Sequence, residues 1–257
     1  MKVYETGNIR NVVVMGHGGC GKTTLVEAIA YQTGITARMG KVTDGNTISD
    51  YDKEEQKRQF SISTSVVPVE FEDIKINFLD TPGYFDFVGE VEEACHAAGA
   101  AVIVINGKSG VEVGTLKAWE LCEKYKLPRL FFVTGMDDDQ ASYRKIVLEL
   151  NDRFGRKVAP FHVPIRENEK FVGFVNVVKM KGRRFINDTS EYEECDIPDY
   201  MDKHLNISRD ALVEAVADTS EELMERYFAG EEFSVEEIRA AMRTEVMEGS
   251  IVPVAMG

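Results

Sequence analysis

The chain has 257 residues, of which 44% are hydrophobic. This length suits one large domain or two small ones, and the composition can fill a substantial core. No apolar run approaches the roughly 20 residues that a membrane-spanning helix needs, so the sequence predicts no membrane contact. The formal net charge of −14 argues against direct binding of nucleic acid by this segment.

The excess negative charge lies in one stretch of the chain. Residues 186–248 contain 19 acidic and 5 basic residues, a net charge of −14, so the remainder holds 25 of each (44 − 19 and 30 − 5). Such a shift in composition is typical of a separate folding unit. We therefore predict a distinct acidic subdomain in the second half of the chain.

The cysteines and the N-terminus indicate a cytoplasmic protein. The four cysteines are scattered, without a Cys-x-x-Cys pair or histidines at metal-ligand spacing. This usage is typical of reduced thiols and favours neither a disulfide nor a structural zinc site. The first residues lack the apolar stretch of a secretory signal.

Strands and helices alternate through the first 155 residues. The apolar patterns predict strands at residues 11–15, 65–71, 74–79, 100–105 and 129–133, and helices at residues 24–30, 88–98, 115–125 and 142–154. Pro68 places the second strand at a sheet edge, in a hairpin with the third. Residues 34–63 show little periodicity and are predicted as a long functional or mobile loop. The alternation predicts an α/β fold with a mostly parallel sheet and helices on both faces.

The alternation ends near Arg156. Short antiparallel strands are predicted at residues 171–178 and 181–185, followed by two acidic helices. The first helix carries an apolar stripe of Leu212, Val216, Leu223 and Tyr227, and the second begins at a capping box of Ser234 and Glu237. Residues 251–254 are apolar again and are expected to complete the interrupted sheet.

These patterns divide the chain into two parts. We predict a core of residues 1–155 and 251–257, with an inserted acidic α+β subdomain of residues 156–250.

One segment fits the pattern GxxxxGK[ST], in which backbone N–H groups surround phosphates, the lysine points at them and the hydroxyl holds Mg²⁺. Its residues are Gly16, His17, Gly18, Gly19, Cys20, Gly21, Lys22 and Thr23. The segment lies between a predicted strand and a predicted helix, which is the setting that the pattern needs. The alternative is a glycine-rich turn without a ligand, and such a match arises by chance in roughly one chain of this length in a hundred.

A second motif, residues 80–83, follows an apolar strand. It begins with Asp80, an acid that can serve a metal ion at the carboxyl edge of a sheet, and ends with Gly83, whose N–H can meet a γ-phosphate. An isolated acid after a strand can instead cap a helix. Together the two motifs predict a P-loop NTPase fold and favour a GTPase.

The chain resembles, over its whole length, the GTPase domain of elongation factor G and its paralogues. The matching residues are Asn8 to Asn11 before the first strand, His17, then Gly40, Val42, Asp44 and Gly45 in the first switch loop, and Asp80 to Phe87 followed by Glu90, Val91 and Glu92 in the second switch. This family also inserts a subdomain before its last strand.

The resemblance implies a domain that binds GTP or GDP with Mg²⁺ and hydrolyses GTP on the ribosome. The implied metal site consists of Thr23, Ser61 and Asp80. Lys22 and Gly83 would serve the reacting phosphates. The implied nucleotide-binding residues are Gly16 to Thr24, Asp80, Gly83, Thr134 and Asp137.

Tyr84 departs from the family pattern, which has a histidine after Asp-Thr-Pro-Gly to position the attacking water. A phenol has a pKa near 10 and cannot become the small cation that histidine can. If Tyr84 points inward, hydrolysis is expected to be slow, and if it is swung out another group must orient the water. A third possibility is that the ring packs sideways on the switch helix.

The base-recognition motif of the family, Asn-Lys-x-Asp, is altered to Thr134-Gly135-Met136-Asp137. The carboxylate that pairs with guanine is retained as Asp137, whereas the asparagine and the lysine are lost. Each lost contact is expected to weaken binding by ~1–3 kcal/mol. The neighbours Asp138 and Asp139 are predicted to cap the next helix.

Two smaller departures concern the metal site and the phosphate loop. Ser61 stands where the family has a threonine, and it keeps the hydroxyl that ligates Mg²⁺. Gly19 replaces an aspartate of the phosphate loop without loss of a backbone donor. The family continues past Gly257 with a Ser-Ala loop and four further domains, so we expect this chain to be a fragment of a longer protein.

The resemblance also implies partners. We expect a monomer that reaches the ribosome through the full-length protein, with the acidic insert able to contact the ribosomal stalk protein. A solvated acidic face that keeps the domain soluble is an equal alternative. Two other functions stay open. One is a weakly hydrolysing nucleotide-dependent ribosome regulator or ribosomal protection factor, and the other is a small-molecule kinase that uses ATP.

Overall fold

The computed structural model describes residues 2–168, 170–186 and 191–257, apart from the side chains at positions 203 and 204. Contacts within the chain define two compact units, Met1–Asn106 with Glu112–Arg129, and Gly107–Val111 with Leu130–Gly257. Each unit has a hydrophobic core of its own. None of the described helices is both long and apolar enough to cross a bilayer.

The first unit has its strands and helices in the predicted order, with one further helix in the segment predicted as a loop. Its elements are β1 (Ile9–Gly16), α1 (Lys22–Gln32), α2 (Lys53–Arg58), β2 (Ser65–Phe71), β3 (Ile74–Asp80), α3 (Val88–Ala97), β4 (Ala100–Asn106) and α4 (Val113–Tyr125). The strands follow the order β2-β3-β1-β4, with β1 parallel to both of its neighbours. β2 pairs antiparallel with β3 at the edge, which confirms the position predicted from Pro68.

Helices cover both faces of this sheet. Val14 of β1 packs in one cluster with Val26 of α1. The next residue, Met15, meets Cys95 of α3, and their sulfur atoms lie 3.5 Å apart. Because successive side chains of a strand point to opposite faces, α1 and α3 lie on opposite sides of the sheet.

The segment between α1 and β2, predicted as a loop, contains the helix α2 and is tied down by buried carboxylates. Asp52 and Glu55 form a capping box at the start of α2. Glu27 of α1 accepts hydrogen bonds from the backbone N–H groups of Gly40 (2.8 Å) and Ile48 (2.7 Å). This loop therefore has a defined path along α1, set by interactions that periodicity does not reveal.

The second unit combines parallel strands with a separate antiparallel sheet. From the boundary residue onwards its elements are β5 (Arg129–Thr134), α5 (Tyr143–Phe154), β6 (Val158–Pro160), β7 (His162–Glu167), β8 (Lys170–Asn176), β9 (Lys181–Phe185), β10 (Tyr192–Cys195), α6 (Asp202–Ala217), α7 (Glu221–Phe228), α8 (Val235–Glu248) and β11 (Val252–Met256). β11 is parallel to β5 and to β6, which confirms that the last apolar segment completes the interrupted sheet. The other strands form an antiparallel sheet in the order β10-β9-β8-β7.

The predicted fold class, a mostly parallel α/β sheet with an added α+β subdomain, is therefore confirmed. β6 falls within the range predicted for the insert although it pairs with β11, so the antiparallel part begins at β7. The limits of the insert stay a prediction.

The prediction of two acidic helices is wrong, because the described residues of this region form three. Leu212 and Val216 lie on α6, whereas Leu223 and Tyr227 lie on α7. Ser220 begins α7 by accepting a hydrogen bond from the backbone N–H of Leu223 at 3.2 Å. The apolar stripe continues from α6 into α7, so the sequence pattern does not reveal the break between these two helices. The capping box predicted for the last helix is present at the start of α8.

Candidate functional site

The predicted phosphate loop joins β1 to α1 in the first unit and closes over its own lysine. Lys22 is 6% exposed, and its Nζ donates hydrogen bonds to the carbonyls of Gly16 (3.2 Å) and His17 (2.9 Å). An ammonium group has three donors, so one N–H remains for a ligand. A cavity of about 200 Å³ lies beside it, lined by Gly18, Gly19, Gly21, Lys22, Thr23, Thr24, Val42, Asp50, Gln59, Phe60, Ser61, Gly83 and Tyr84. Whole-ligand pockets run to ~300–1,000 Å³, so this cavity suits the phosphate part of a ligand.

Three residues of the predicted loop do not line this cavity. Gly16 turns its carbonyl to Lys22. The Nδ1 atom of His17 accepts a hydrogen bond from the backbone N–H of Gly114 at 3.3 Å, and Nε2 lies 3.6 Å from the carboxylate of Glu112. Cys20 is 1% exposed, and burial raises the pKa of its thiol. Any contact of these three residues with phosphate is therefore limited to the backbone.

Gly83 lies directly against the phosphate loop. A Cβ atom at this position would lie 2.4 Å from Nζ of Lys22 and 2.7 Å from Cα of Gly18. Both distances are shorter than van der Waals contact, so only glycine fits without displacing one segment. The second switch is therefore in contact with the lysine that the pattern directs at phosphates.

Oxygen atoms from three separate segments meet beside Lys22. The hydroxyl oxygens of Thr23 and Ser61 lie 3.2 Å apart. Ser61 donates a hydrogen bond of 2.7 Å to the carboxylate of Asp50, whose pKa is raised by burial. The structure thus brings together the two predicted hydroxyl ligands. It also adds Asp50, which sequence reasoning missed because no local pattern marks it.

Asp80 is fully buried at the end of β3, and both oxygens of its carboxylate are without a hydrogen-bond partner among the described residues. The hydroxyls of Thr23 and Ser49 face this carboxylate and oppose the shift of its pKa, but neither reaches hydrogen-bonding geometry. Burial raises the pKa of Asp80 to about 6. A buried carboxylate without partners is costly, and a cation removes that cost.

The donor set fits Mg²⁺. It consists of hydroxyl and carboxylate oxygens, the hard ligands that this ion prefers, and Mg²⁺ in such sites combines few protein ligands with substrate phosphates. No group of three or more His, Cys, Asp or Glu residues able to hold a metal occurs in the described part of the chain. Mg²⁺ in sites with so few protein ligands keeps several waters or takes phosphate oxygens.

Tyr84 faces the phosphate loop. Its ring packs on the ring of Phe60, with the centroids 4.7 Å apart, and lies over Gly18. The side chain is 48% exposed and lines the cavity next to Gly83. The inward orientation is therefore the one found, rather than packing along the switch helix.

The predicted base-recognition loop belongs to the second unit and follows β5. Gly135 has a φ of +68°, a conformation that a lysine adopts only with strain. Met136 is fully buried, whereas Asp137 is exposed. The loop thus presents the aspartate outward on a backbone suited to glycine, which accounts for one departure from the Asn-Lys-x-Asp pattern.

The prediction that Asp138 and Asp139 cap the next helix is wrong. Ser142 is the N-terminal residue flanking α5, and its side chain makes no capping hydrogen bond. Asp138 instead accepts a hydrogen bond from the backbone N–H of Gln140 at 2.8 Å, and this bond holds the pKa of Asp138 below its usual range. Asp138 therefore closes a turn within the loop.

The glycine loop between β1 and α1, with a buried aspartate at the end of the adjacent parallel strand, defines a P-loop nucleoside triphosphatase domain. The sequence model of the family described as "Elongation factor Tu GTP binding domain" matches residues 7–256. The chain is similar to a protein from Thermus thermophilus of known crystal structure, with 36% sequence identity and a TM-score of 0.88. The match covers 97% of this chain and 37% of the Thermus chain. The chain belongs to the elongation factor Tu GTP binding domain family. It spans little more than a third of the Thermus protein.

Proposed function

We propose that this chain is the GTP-binding domain of an elongation factor G-like translational GTPase, which hydrolyses GTP to GDP on the ribosome to drive translocation or a related remodelling step. The observation that carries the proposal is Asp80, whose buried carboxylate has no hydrogen-bond partner among the described residues. It faces the hydroxyl of Thr23, which lies 3.2 Å from the hydroxyl of Ser61. A magnesium–nucleotide complex accounts for this arrangement, because it supplies both the cation and the phosphates.

Different residues of the first unit contact the phosphates and the metal ion. Lys22 binds β- and γ-phosphate oxygens through its remaining N–H, and the backbone N–H of Gly83 meets the γ-phosphate. Thr23, Ser61 and Asp80 hold Mg²⁺, which when bound offsets the charge on the phosphate oxygens. Ser61 and Gly83 belong to the two switch segments. Loss of the γ-phosphate would remove the partner of Gly83 and weaken the hold on the ion that Ser61 would bind, so both segments would be released.

Base selectivity rests on Asp137 in the second unit. Its carboxylate pairs with the N1–H and the amino group of guanine, and adenine offers neither donor in that arrangement. With Thr134 and Gly135 in place of asparagine and lysine, affinity is lower than in relatives that keep both. Selectivity for guanine over adenine is retained.

The family supports a place of action on the ribosome. We propose a cytoplasmic, monomeric domain that reaches the ribosome as part of a longer protein. The acidic insert meets a basic surface there, with the ribosomal stalk protein as the candidate partner. Complementary charge of this kind speeds encounter more than it strengthens binding.

A second function is favoured by the orientation of Tyr84. A phenol over the phosphate loop supplies one hydrogen bond and no cation, which suits a weakly hydrolysing ribosome regulator or a ribosomal protection factor. A single-turnover rate with ribosomes separates the two functions. An enzyme is accelerated by ribosomes, whereas a regulator stays at the spontaneous rate.

Titration with a fluorescent guanine nucleotide, in Mg²⁺ buffer and again in EDTA, tests the proposed function. We expect saturable binding that is weaker in EDTA and is competed by GTP but not by ATP. Tighter binding of ATP than of GTP would contradict the proposal and favour a small-molecule kinase that uses ATP. Absence of guanine-nucleotide binding in either buffer would contradict it altogether.

Substituting Gly83→Ala is expected to weaken GTP binding selectively. The added methyl group must displace Lys22 or the phosphate loop, and overpacking of this kind costs about 1–3 kcal/mol, or about 5- to 150-fold in affinity. GDP lacks the γ-phosphate that Gly83 meets, so its affinity changes less. The ratio of GTP to GDP dissociation constants, measured by competition, checks this result.

The matched control for this substitution is Gly89→Ala. Gly89 lies in α3 of the same segment, and nothing lies within 4 Å of a Cβ atom there. The control is expected to keep the parental ratio. An equal change in both variants would mean that Gly83 has no special relation to the phosphates.

A further inference from the structure

Arg166 of β7 lies against the base-recognition loop within the second unit. Its Nη2 atom donates hydrogen bonds to the carbonyl of Met136 at 2.5 Å and to the carbonyl of Asp138 at 2.9 Å. These two carbonyls belong to the residues on either side of Asp137. A single guanidinium nitrogen therefore fixes the backbone at both flanks of the residue proposed to read the base.

The local backbone explains why Arg166 points at this loop. The pairing of β7 with β8 shifts register between Ile165 and Arg166. An irregularity of this kind re-aims the side chain that follows it, and it is frequent beside functional sites. The hydroxyl of Tyr200 donates a hydrogen bond of 3.0 Å to the carbonyl of Arg166, so the backbone of Arg166 is itself held in place.

The loop needs such support. Asp137 is exposed, so burial in the core does not fix the position of its side chain. Gly135, two residues earlier, has the largest backbone freedom of any residue type. The interactions that hold this loop in place include the burial of Met136 and the two hydrogen bonds from Arg166.

We propose that Arg166 is a positioning residue for guanine recognition, which holds the carboxylate of Asp137 in register with the N1–H and amino group of the base. This inference rests on the proposed function, since it assigns the residue that maintains base selectivity at the same site. It also links the antiparallel subdomain to nucleotide specificity, because β7 belongs to the sheet formed by β7 to β10.

The test compares the dissociation constants of GDP and IDP, whose base lacks the amino group. Arg166→Met is expected to weaken GDP binding about tenfold, the usual effect of losing a hydrogen bond to a charged group. IDP cannot use the amino-group contact, so its binding changes by less and the preference for GDP over IDP falls. Arg166→Lys keeps a cation that can donate to the same carbonyls, and it is expected to restore much of the preference.

Arg209→Met is the matched control, because Arg209 donates to the carbonyls of Val177 (2.9 Å) and Val178 (3.2 Å) elsewhere in the unit. It removes the same charge and the same kind of contact, and is expected to keep the parental preference for GDP. Equal loss of GDP and IDP binding in Arg166→Met, or an unchanged preference, would overturn the inference while leaving the proposed function intact. A parent protein that binds no GDP would instead overturn the proposed function.

Discussion

Substituting Asp80→Asn is expected to stabilise the nucleotide-free, metal-free protein and to abolish the Mg²⁺-dependent part of GTP binding. Burial raises the pKa of this carboxyl from 3.8 to about 6. The shift corresponds to about 3 kcal/mol of destabilisation once the group is ionised in the folded state. Asparagine carries no charge, so the variant is not destabilised by a buried ionised group. It also lacks the negative charge that would bind Mg²⁺.

The dependence on pH distinguishes this cause from a general change in packing. An acidic group whose pKa is higher in the folded than in the unfolded protein destabilises the fold when it ionises. This destabilisation grows as the pH rises from the pKa of the unfolded protein to the pKa of the folded protein. The gain in unfolding free energy of Asp80→Asn is therefore expected to be near zero at pH 4, to grow up to about pH 6 and to stay constant above it. Denaturant unfolding in EDTA at a series of pH values measures this profile.

Asp86→Asn serves as the control, since Asp86 is an exposed carboxylate of the same segment. The control is expected to differ little from the parent protein at any pH. A gain for Asp80→Asn that is independent of pH would show that its carboxylate is not ionised at a cost in the folded protein. Retained Mg²⁺ dependence of GTP binding would remove Asp80 from the metal site.

Local patterns in the sequence were sufficient for most of the sheet. The apolar runs at β1, β3 and β4 are long enough to mark buried parallel strands, and Pro68 marks the edge because it cannot donate to a ladder. The phosphate loop is also local, since one continuous segment supplies its glycines, lysine and hydroxyl. These features depend on neighbours in the chain, so the sequence displays them directly.

The missed features depend on contacts between distant segments or on competing local signals. α2 lies in a charged stretch with no apolar stripe, and its capping box was the available signal. Asp50 and Arg166 stand in unremarkable sequence, and only the fold brings them to Ser61 and to the base-recognition loop. No spacing rule reveals such residues, because their partners are set by tertiary structure.

Substituting Tyr84→His is expected to accelerate GTP hydrolysis by about 10²-fold, the lower range for a well-placed acid–base group. The ring of Tyr84 already lies over Gly18 and against Phe60, beside the cavity for phosphates. An imidazole at this position reaches the same space. With a pKa near 6.5, it also supplies the small cation that a phenol cannot provide. Single-turnover hydrolysis with and without ribosomes measures the effect.

Phe85→His is the matched control for this gain. Phe85 is a neighbouring exposed aromatic residue, so the control introduces the same imidazole one position further along the switch. Its hydrolysis rate is expected to stay at the parental level, and the affinity for GTP is expected to be similar in all three proteins. A rate unchanged in Tyr84→His would mean that the phenol does not limit hydrolysis. The slow step would then lie in the closing of the switch segments around the γ-phosphate, where Gly83 meets the phosphate loop.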